Sequence, residues 1–391
     1  MHGIHRLRNT VQRYAWGSRS DIAELIGEPV PSPTPQAELW MGAHPLAPSL
    51  VVLDGAEMPL DAWIASDPAS ILGARTASEF GSLPFLLKVL AAARPLSIQA
   101  HPDASQAREG FSRESAAGIP LDSPERCYRD PGHKPELICA LKPFSALNGF
   151  RPPRSIRALL DALGVDEVRD LAPLDQGLET FFTTLMTSPP ALLGRAVDLA
   201  ARAARRLAAD PVFDWIVRLH AEHPGDPGVL SPLFLNLVRL DPGQAMALPS
   251  GRLHAYLEGA GIEIMASSDN VLRGGLTPKH VDVPELVRIL SFEPSDPAPT
   301  SAVRVSSTEM AYPPSAREFA LSVVRVTPAS SHSPAPLHGI EILLCTEGAG
   351  RIADLPSGRT LDLARGSSFV VPASSSYAIE GDATLYRARV P

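Results

Sequence analysis

The sequence predicts a mainly β protein that carries an α-helical insert. Three observations support this fold class. Short apolar runs that end at Gly or Pro are typical of strands entering turns, and the chain has 40 Pro and 28 Gly among its 391 residues. Between about residues 152 and 230 the apolar pattern changes to a period of roughly 3.6, which indicates helices. After residue 231 the strand-and-turn pattern returns.

The amino-acid composition is typical of a folded protein with a sizeable core. The net charge also excludes some classes of binding partner. The formal charge of −8 offers no basic surface for nucleic acid or anionic lipid. No stretch approaches the ~20 apolar residues of a membrane helix, and no secretory signal follows Met1. The 3 cysteines are too few for a disulfide framework. We therefore expect a cytoplasmic protein with reduced thiols, and neither a nucleic-acid nor a membrane partner.

The first 150 residues contain the earliest strand and helix signals. Asp21 to Ile26 predicts one short helix between two aromatic segments that read as strands. Pro84 to Leu90 predicts a buried strand whose single charge is Lys88. That lysine either extends its stem to reach water or points its cation into a pocket, and the pattern alone does not decide between the two.

The stretch from Leu96 to Asp103 combines a strand end with two metal-binding residue types. Gln99 and His101 lie two apart, so their side chains leave the same face of a strand. Pro102 ends the run, and Asp103 with Gln106 forms the pattern of a capping box for a following helix. A strand that opens into a loop is a common place for chemistry.

A second charged strand start lies at residues 133–141. Lys134 and Glu136 share one face by the period of two. A carboxylate at the opening of a buried strand needs a partner. A salt bridge and a functional site both remain open from this segment alone.

The helical insert follows from Pro152. Its first helix has apolar residues at i, i+3, i+4 and i+7 from Ile156 to Leu163, with Ser155 before them and Gly164 after them. Three further helices are predicted at 178–185, 191–209 and 210–220. Their apolar stripes are most simply explained as core.

Strands return at residues 233–240, and the following turns and strands are typical of a small barrel of the cupin type. In such barrels a strand that follows a Pro-Ser-Gly turn presents a metal-binding histidine, here His254. The seventeen residues 263–279 contain several charged residues close to glycines, which favours a functional site over an ordinary surface. The charged residues considered are Glu263, Asp269, Arg273 and Lys279. Asp282 and Glu285, on either side of Pro284, predict another helix start.

The last ninety residues predict a second cupin-like (jelly-roll) sheet without a matching set of ligands. The whole chain then divides into four parts. These are the N-terminal part of the catalytic cupin-like domain (1–150), the helical insert (151–230), the rest of the catalytic domain (231–298) and a C-terminal cupin-like β domain (299–391).

Four candidate metal ligands emerge: Gln99, His101, Glu136 and His254. Two nitrogens and two oxygens suit Zn²⁺, one ion per chain. Because Gln is neutral, the site keeps a net positive charge and can stabilise a developing oxyanion.

The ordered motifs of this chain resemble those of type I mannose-6-phosphate isomerases. They are Tyr14-Ala15-Trp16-Gly17, Ala37-Glu38-Leu39-Trp40-Met41-Gly42, Leu96 to Asp103, His133-Lys134-Pro135-Glu136, His254-Ala255-Tyr256-Leu257 and Ser268 to Lys279. The resemblance implies a zinc enzyme that interconverts mannose 6-phosphate and fructose 6-phosphate, in the direction of GDP-mannose synthesis or of glycolysis. It also implies that the four candidate ligands hold the zinc and that Arg273 is an active-site residue.

An aldose–ketose isomerase moves a proton between C1 and C2 through an enediol. Arg273 is expected to stabilise the negative oxygen, and Glu263, Asp269, Lys134 and His133 compete for the acid–base roles. Among these, Glu263 and Lys134 are ranked first. No glycine-rich phosphate loop is present, so side chains must hold the phosphate; the candidates for substrate binding are Ser97, Lys88, Arg273, Asp269 and Lys279.

Two alternatives and several departures accompany this interpretation. A non-catalytic sugar-binding cupin should have lost ligands or the arginine, and an Fe(II) cupin oxygenase should carry two histidines and one carboxylate without the neutral Gln. Arg252-Leu253, Gly259-Ala260-Gly261 and Gly274 depart from the usual family pattern, which bears on substrate preference and rate. We expect the enzyme to act as a monomer.

Overall fold

The structure is a computed structural model that describes residues 3–53, 55–171, 173–335 and 338–391. Its helices are α1 (Asp21–Ile26), α2 (Leu60–Ser66), α3 (Pro68–Leu72), α4 (Ala74–Phe80), α5 (Ala104–Ala116), α6 (Pro153–Leu163), α7 (Asp166–Leu171), α8 (Leu178–Thr187), α9 (Pro190–Ala204), α10 (Pro211–Glu222), α11 (Ser231–Phe234) and α12 (Val283–Ile289). Short 3₁₀ turns lie at Leu174–Gln176 and Pro227–Leu230.

The strands dominate the rest of the described chain, which confirms the predicted fold class. They are β1 (His5–Arg8), β2 (Thr10–Gln12), β3 (Glu38–Gly42), β4 (Leu50–Leu53), β5 (Ala56–Pro59), β6 (Phe85–Ala92), β7 (Ile98–Ala100), β8 (Glu136–Ala140), β9 (Phe144–Phe150), β10 (Leu235–Leu240), β11 (Gln244–Leu248), β12 (His254–Ala266), β13 (Leu272–Gly275), β14 (Thr300–Ser301), β15 (Val303–Arg304), β16 (Glu309–Ala311), β17 (Ala320–Val326), β18 (Glu341–Asp354), β19 (Thr360–Ala364), β20 (Ser368–Val371) and β21 (Tyr377–Arg389).

The strands form two antiparallel sheets. In the first, the order is β14-β11-β8-β12-β6-β3-β2, and β7, β9, β10 and β13 branch from it through β12. In the second, the order is β15-β16-β17-β21-β18-β20-β1-β4-β5, and β19 pairs with β18. Strands β1, β4 and β5 therefore join the sheet of the C-terminal part, although they come from the first sixty residues. No local pattern in the sequence predicts this pairing.

Strand β12 connects the two halves of the first sheet. Its first half pairs with β7 and β9, whereas its second half pairs with β6 and β8. The change of partner occurs at Gly259, whose φ is +133° and where a Cβ would lie 2.7 Å from the Phe144 backbone. A glycine is required here because only a residue without a side chain allows so close an approach. The turn folds the sheet into a barrel-like cup.

The helical insert packs under this cup. Helices α6 to α11 leave β9 and return to β10, and Phe150 pairs directly with Leu235 across these two strands. The apolar stripes of the insert share one core with Ile98, Leu253 and Leu272, as predicted. The start of α6 was misplaced: the helix begins at Pro153 and Ser155 lies inside it, because proline suits the first helical turn.

The two sheets face each other across a second core. Leu87, Val89 and Ile262 of the first sheet pack with Ile342 and Leu344 of the second. Among the described residues, no helix combines the length and the apolar character needed to cross a bilayer.

Candidate metal centre and active site

The end of β7 is built as the sequence predicts. The Asp103 carboxylate accepts hydrogen bonds from the N–H groups of Ser105 and Gln106, each at 2.8 Å, and the Gln106 side chain accepts from the Asp103 N–H at 2.9 Å. This complete capping box starts α5 directly after Pro102. The box fixes the backbone that follows His101, so the histidine is held at the strand end.

Three buried side chains converge at the mouth of the cup. His101 follows β7, while Glu136 and His254 are the first residues of β8 and β12. His101 Nε2 lies 3.3 Å from Glu136 Oε1, and His254 Nε2 lies 3.5 Å from Glu136 Oε2. Their possible ligand atoms all lie within 4.8 Å of one another. Two imidazoles and one carboxylate therefore surround a single point.

The hydrogen bonds of the two histidines aim their free nitrogens at that point. His101 Nδ1 lies 2.7 Å from the Asn270 carbonyl oxygen and His254 Nδ1 lies 2.9 Å from that of Arg252. Because a carbonyl only accepts, each Nδ1 carries the hydrogen and each Nε2 keeps a lone pair. Such backbone contacts to the second ring nitrogen are typical of metal-binding histidines.

The triad lacks partners that a metal would supply. His101 Nε2, His254 Nε2 and Glu136 Oε2 are buried without a hydrogen bond to any described residue. An unpartnered buried polar group costs about 1–3 kcal/mol. Burial lowers the pKa of His101 to about 4, so its imidazole is neutral near pH 7. Burial opposes ionisation of Glu136, but His101 and Lys134 outweigh it and hold its pKa well below the usual range. These donors fit a zinc ion.

Gln99 lies beside the triad. In the ladder it is opposite His254 on one side and opposite Arg273 on the other. Its side chain is partly buried and makes no hydrogen bond with another described residue. The register therefore places Gln99 directly beside the metal-binding His254 in the ladder.

A second group of charges crosses the first sheet beside the triad. Lys88 Nζ lies 3.1 Å from Glu263 Oε2 and 3.8 Å from Glu38 Oε1. Tyr256 donates its hydroxyl to Glu263 Oε1 at 2.9 Å, and Trp40 donates its indole N–H to Glu38 Oε2 at 2.7 Å. Lys88 thus pairs with two carboxylates, which argues against the predicted role in holding phosphate.

The buried position of this group sets its protonation. Burial disfavours the charge of Lys88, but Glu263 and Glu38 outweigh it and raise the Lys88 pKa, so the ammonium is retained. Burial also raises the pKa of Glu263, which Lys88 offsets only in part. A carboxyl with a raised pKa in a site is a candidate acid or base. Burial and Glu263 raise the pKa of Tyr256, which therefore remains a donor.

Glu38, Trp40 and Tyr256 were missed as site residues by sequence reasoning. A signal existed for Tyr256 and for Glu38. Tyr256 lies two residues after His254 and so shares its strand face, and Glu38 is a carboxylate at the start of an otherwise apolar strand.

The remaining acid–base candidates have different surroundings. Lys134 Nζ lies 3.1 Å from Glu136 Oε1 and is buried beside the triad. His133 points away, because its Nε2 lies 2.8 Å from Glu318 Oε1 in the C-terminal part. Asp269 Oδ1 lies 3.3 Å from His44 Nε2. Burial opposes ionisation of Asp269, but the contact with His44 outweighs it and lowers the Asp269 pKa.

A group of cations lies on the Arg273 side of the triad. Burial lowers the pKa of Arg273, and the charge of Arg129 adds to this effect. Burial, Arg273 and Arg129 likewise lower the pKa of Lys279. Within the part of the chain that the structure describes, none of these three side chains forms an ion pair. Ser97, partly buried, precedes Ile98, which pairs with Gly275 near this group.

Known proteins share extensive sequence similarity with this chain. The sequence profile of the phosphomannose isomerase type I catalytic domain matches residues 4–153. The chain is 41% identical to the mannose-6-phosphate isomerase of Escherichia coli strain K12, over 98% of this chain and 99% of the relative. It is 34% identical to the human mannose-6-phosphate isomerase, over 96% of this chain and 95% of the relative.

Solved structures agree with the sequence comparison. The chain matches a zinc-bound crystal structure of mannose 6-phosphate isomerase with a TM-score of 0.91 at 39% identity, and the match covers 100% of both chains. The same score, identity and coverage hold for the Salmonella typhimurium enzyme bound to fructose 6-phosphate and zinc.

Proposed function

Because the chain belongs to the phosphomannose isomerase type I family, it is a zinc-dependent aldose–ketose isomerase of mannose 6-phosphate and fructose 6-phosphate, and we propose which residues carry the reaction. The observation that carries the proposal is the Lys88–Glu263 pair beside the unpartnered triad of His101, Glu136 and His254. One group holds a metal, and the adjacent group can exchange a proton.

His101, Glu136 and His254 hold the zinc, and Gln99 adds an amide oxygen. His101 Nε2 and His254 Nε2 have no hydrogen-bond partner among the described residues. The same is true of one of the two carboxylate oxygens of Glu136, Oε2. When bound, the ion supplies a positive charge that stabilises a developing oxyanion.

Glu263 transfers the proton between C1 and C2 of the sugar. Its raised pKa suits a group that must both accept and return a proton near neutral pH. Lys88 fixes one carboxylate oxygen and Tyr256 fixes the other, so the carboxylate is oriented before substrate arrives. Lys134, beside Glu136, donates to a sugar oxygen and serves the proton exchange between the two hydroxyl oxygens.

Arg273 stabilises the negative oxygen of the enediol(ate), and the cations around it hold the phosphate. Lys279 and Arg129 are the phosphate ligands of this proposal, because neither is paired with a described carboxylate. Ser97 adds a hydroxyl donor at the same side. Asp269 binds a sugar hydroxyl through its second carboxylate oxygen. Lys88 takes no part in phosphate binding here.

We also propose a cytoplasmic enzyme that acts as a monomer. The cysteines Cys127, Cys139 and Cys345 are buried free thiols, as expected for a reducing compartment. We also propose the division of the chain into four parts at residues 150, 230 and 298. Strands β1, β4 and β5 belong to the first part by sequence but pair within the C-terminal sheet.

A coupled assay of mannose 6-phosphate conversion tests the function. The purified protein is assayed as isolated, after EDTA, and after Zn²⁺ is added back, with metal content measured at each step. We expect activity to disappear on chelation and to return with zinc. Oxygen uptake with bound iron would favour an oxygenase, and metal at one per chain without turnover would favour a non-catalytic sugar-binding cupin.

A further inference from the structure

A separate cavity lies in the C-terminal part of the molecule. Its volume is about 570 Å³, and its walls come from the α3–α4 junction, from the turn between β15 and β16, from β16, from residues 332–335 and from the end of β21. It shares no residue with the metal centre. A hexose derivative fits a cavity of this size, since small-molecule sites span roughly 300–1,000 Å³.

The floor of this cavity is a buried ion network. Arg387 donates from Nε to Glu341 Oε2 at 2.9 Å, also donates to Glu341 Oε1, and donates from Nη1 to Glu309 Oε1 at 2.8 Å. Ser322 donates to the same Glu309 oxygen at 2.6 Å. Three of the five guanidinium N–H donors are used in this way, so Arg387 fixes the positions of the two carboxylates.

Two polar atoms of the floor lack partners. His332 is 2% exposed, and its Nδ1 lies 3.0 Å from the Thr308 hydroxyl, yet its Nε2 is buried without a hydrogen bond to any described residue. Glu309 uses only Oε1, and no described residue donates to its Oε2. Both side chains line the cavity. Of the two atoms, only His332 Nε2 is buried without a partner, which is costly, and a ligand with hydroxyl groups would pair both.

The rim of the cavity carries two arginines, Arg75 and Arg389. Arg389 makes one weak contact, at 3.3 Å to the Val390 carbonyl. Arg75 is 78% exposed, its Nε lies 3.8 Å from Glu79 Oε2, and its Nη1 lies 3.4 Å from the Pro391 carbonyl oxygen. Of the three arginines among the described lining residues, Arg387 is paired with Glu309 and Glu341, so Arg75 and Arg389 are the cations of the rim.

We propose that this cavity binds an anionic polyol of hexose size, such as a sugar phosphate or a sugar acid. Glu309 Oε2 and His332 Nε2 pair with sugar hydroxyls, and Arg389 and Arg75 bind the phosphate or carboxylate. The site lies on the second sheet and does not depend on the residue roles assigned to the metal centre.

Hydrogen-exchange mass spectrometry of the zinc-loaded full chain tests the proposal. The probes are glucose 6-phosphate, gluconate and inorganic phosphate, and the segments followed are 303–311 and 328–335. We expect saturable protection by glucose 6-phosphate or gluconate, with the stronger of the two identifying the anion. Arg389→Ala should weaken this protection about tenfold, since charge-assisted hydrogen bonds are the strong ones. Arg75→Ala should weaken it less, and Arg351→Ala, on an exposed strand position of the same part, should not change it.

Two further variants separate this cavity from the metal centre and from a purely structural network. Arg273→Ala should leave protection of the two segments intact, because it changes only the proposed active site. His332→Ala should abolish the protection by the probes. If that variant does not fold, the proposal is tested with Arg389→Ala and Arg75→Ala instead. The proposal is wrong if millimolar probe gives no protection. It is also wrong if protection survives Arg389→Ala unchanged, or if inorganic phosphate protects as strongly as both polyols.

Discussion

Lys88 and Glu263 face each other across the β6–β12 pair, with Nζ 3.1 Å from Oε2 in a fully buried position. A buried charge without a partner is strongly destabilising, so each member holds the other in place. The pair therefore gives the active site a proton-exchanging carboxylate whose position is fixed by a sheet rather than by a loop.

Replacing Glu263 by Gln should lower kcat at least about 100-fold, because positioned proton transfer contributes about 10²–10⁴. The amide keeps the shape of the side chain and its contact with Tyr256, so KM and zinc content should change little. Steady-state kinetics with mannose 6-phosphate and metal analysis measure both quantities. Near-normal turnover would exclude Glu263 as the proton carrier.

Tyr256→Phe is the matched variant for the same carboxylate. It removes the hydroxyl that lies 2.9 Å from Glu263 Oε1 and leaves the ring in place. Because it affects only orientation, we expect a loss in kcat about tenfold smaller than that of Glu263→Gln. An equal loss in the two variants would assign the tyrosine a direct chemical role.

Asn270 should control zinc affinity without touching the ion. Its side chain accepts the Arg129 N–H at 2.7 Å and donates to the carbonyls of Asp130 and Gly132 at 2.7 and 2.8 Å, and its own carbonyl receives His101. Loss of such an outer contact typically costs 10- to 100-fold in metal affinity. Asn270→Ala should therefore bind zinc about tenfold more weakly in competition with a chromogenic chelator. The control variant Ser267→Ala, at an exposed neighbouring position, should bind zinc normally. Unchanged zinc affinity in Asn270→Ala would show that the Asn270 side chain is not needed to position His101.

Lys279 should matter for the phosphate and little for the sugar. Lys279→Ala should reduce kcat/KM for mannose 6-phosphate about tenfold, since charge-assisted contacts to phosphate are strong. The activity on unphosphorylated mannose, where it is measurable, should be nearly unchanged. Arg273→Ala should reduce both, because its proposed role includes the negative oxygen. A parallel loss on both substrates for Lys279→Ala would place the phosphate elsewhere.

Glu318 should make stability depend on acid pH. Burial opposes its charge, but the hydrogen bond from His133 outweighs burial and lowers the pKa of Glu318. A carboxyl with a lowered folded-state pKa contributes stability above its unfolded pKa, and this is lost as pH falls through the folded pKa. Glu318→Gln should therefore cost about 1–2 kcal/mol of unfolding free energy at pH 7, and the difference from the unsubstituted chain should shrink below about pH 4.

Denaturant unfolding at several pH values measures this difference. Glu293→Gln, at an exposed position without a described ion pair, serves as the control and should show no pH-dependent difference. A constant difference between Glu318→Gln and the unsubstituted chain across the acid range would mean that the carboxylate charge contributes nothing.

Local sequence signals predicted the parts of the site that are local in the chain. The capping box after His101 and the helix from Asp21 to Ile26 formed as expected, because their hydrogen bonds join neighbouring residues. The pairing of His5–Arg8 with Ser368–Val371 could not be predicted in this way. More than 350 residues separate the partners, and a four-residue strand carries too little pattern to select one edge among many.

Lys88 illustrates the same limit inside the site. The sequence identified an unusual charge in an apolar strand, and the structure gives it two carboxylate partners from β3 and β12. Since register decides which side chains meet across a sheet, the choice between a phosphate ligand and an ion-paired lysine depended on strand pairing. The ion network of the C-terminal part was missed for the same reason, because Glu309, Glu341 and Arg387 come from three separate strands.

Strand β12 carries His254 at one end and Glu263 nine residues later, on either side of the bend at Gly259. The metal ligand and the proton carrier thus belong to one continuous, paired segment of backbone. Rigid-body opening of the domains cannot separate these two residues. A crystal of the ligand-free protein should therefore show the same spacing of His254 and Glu263 as a substrate complex.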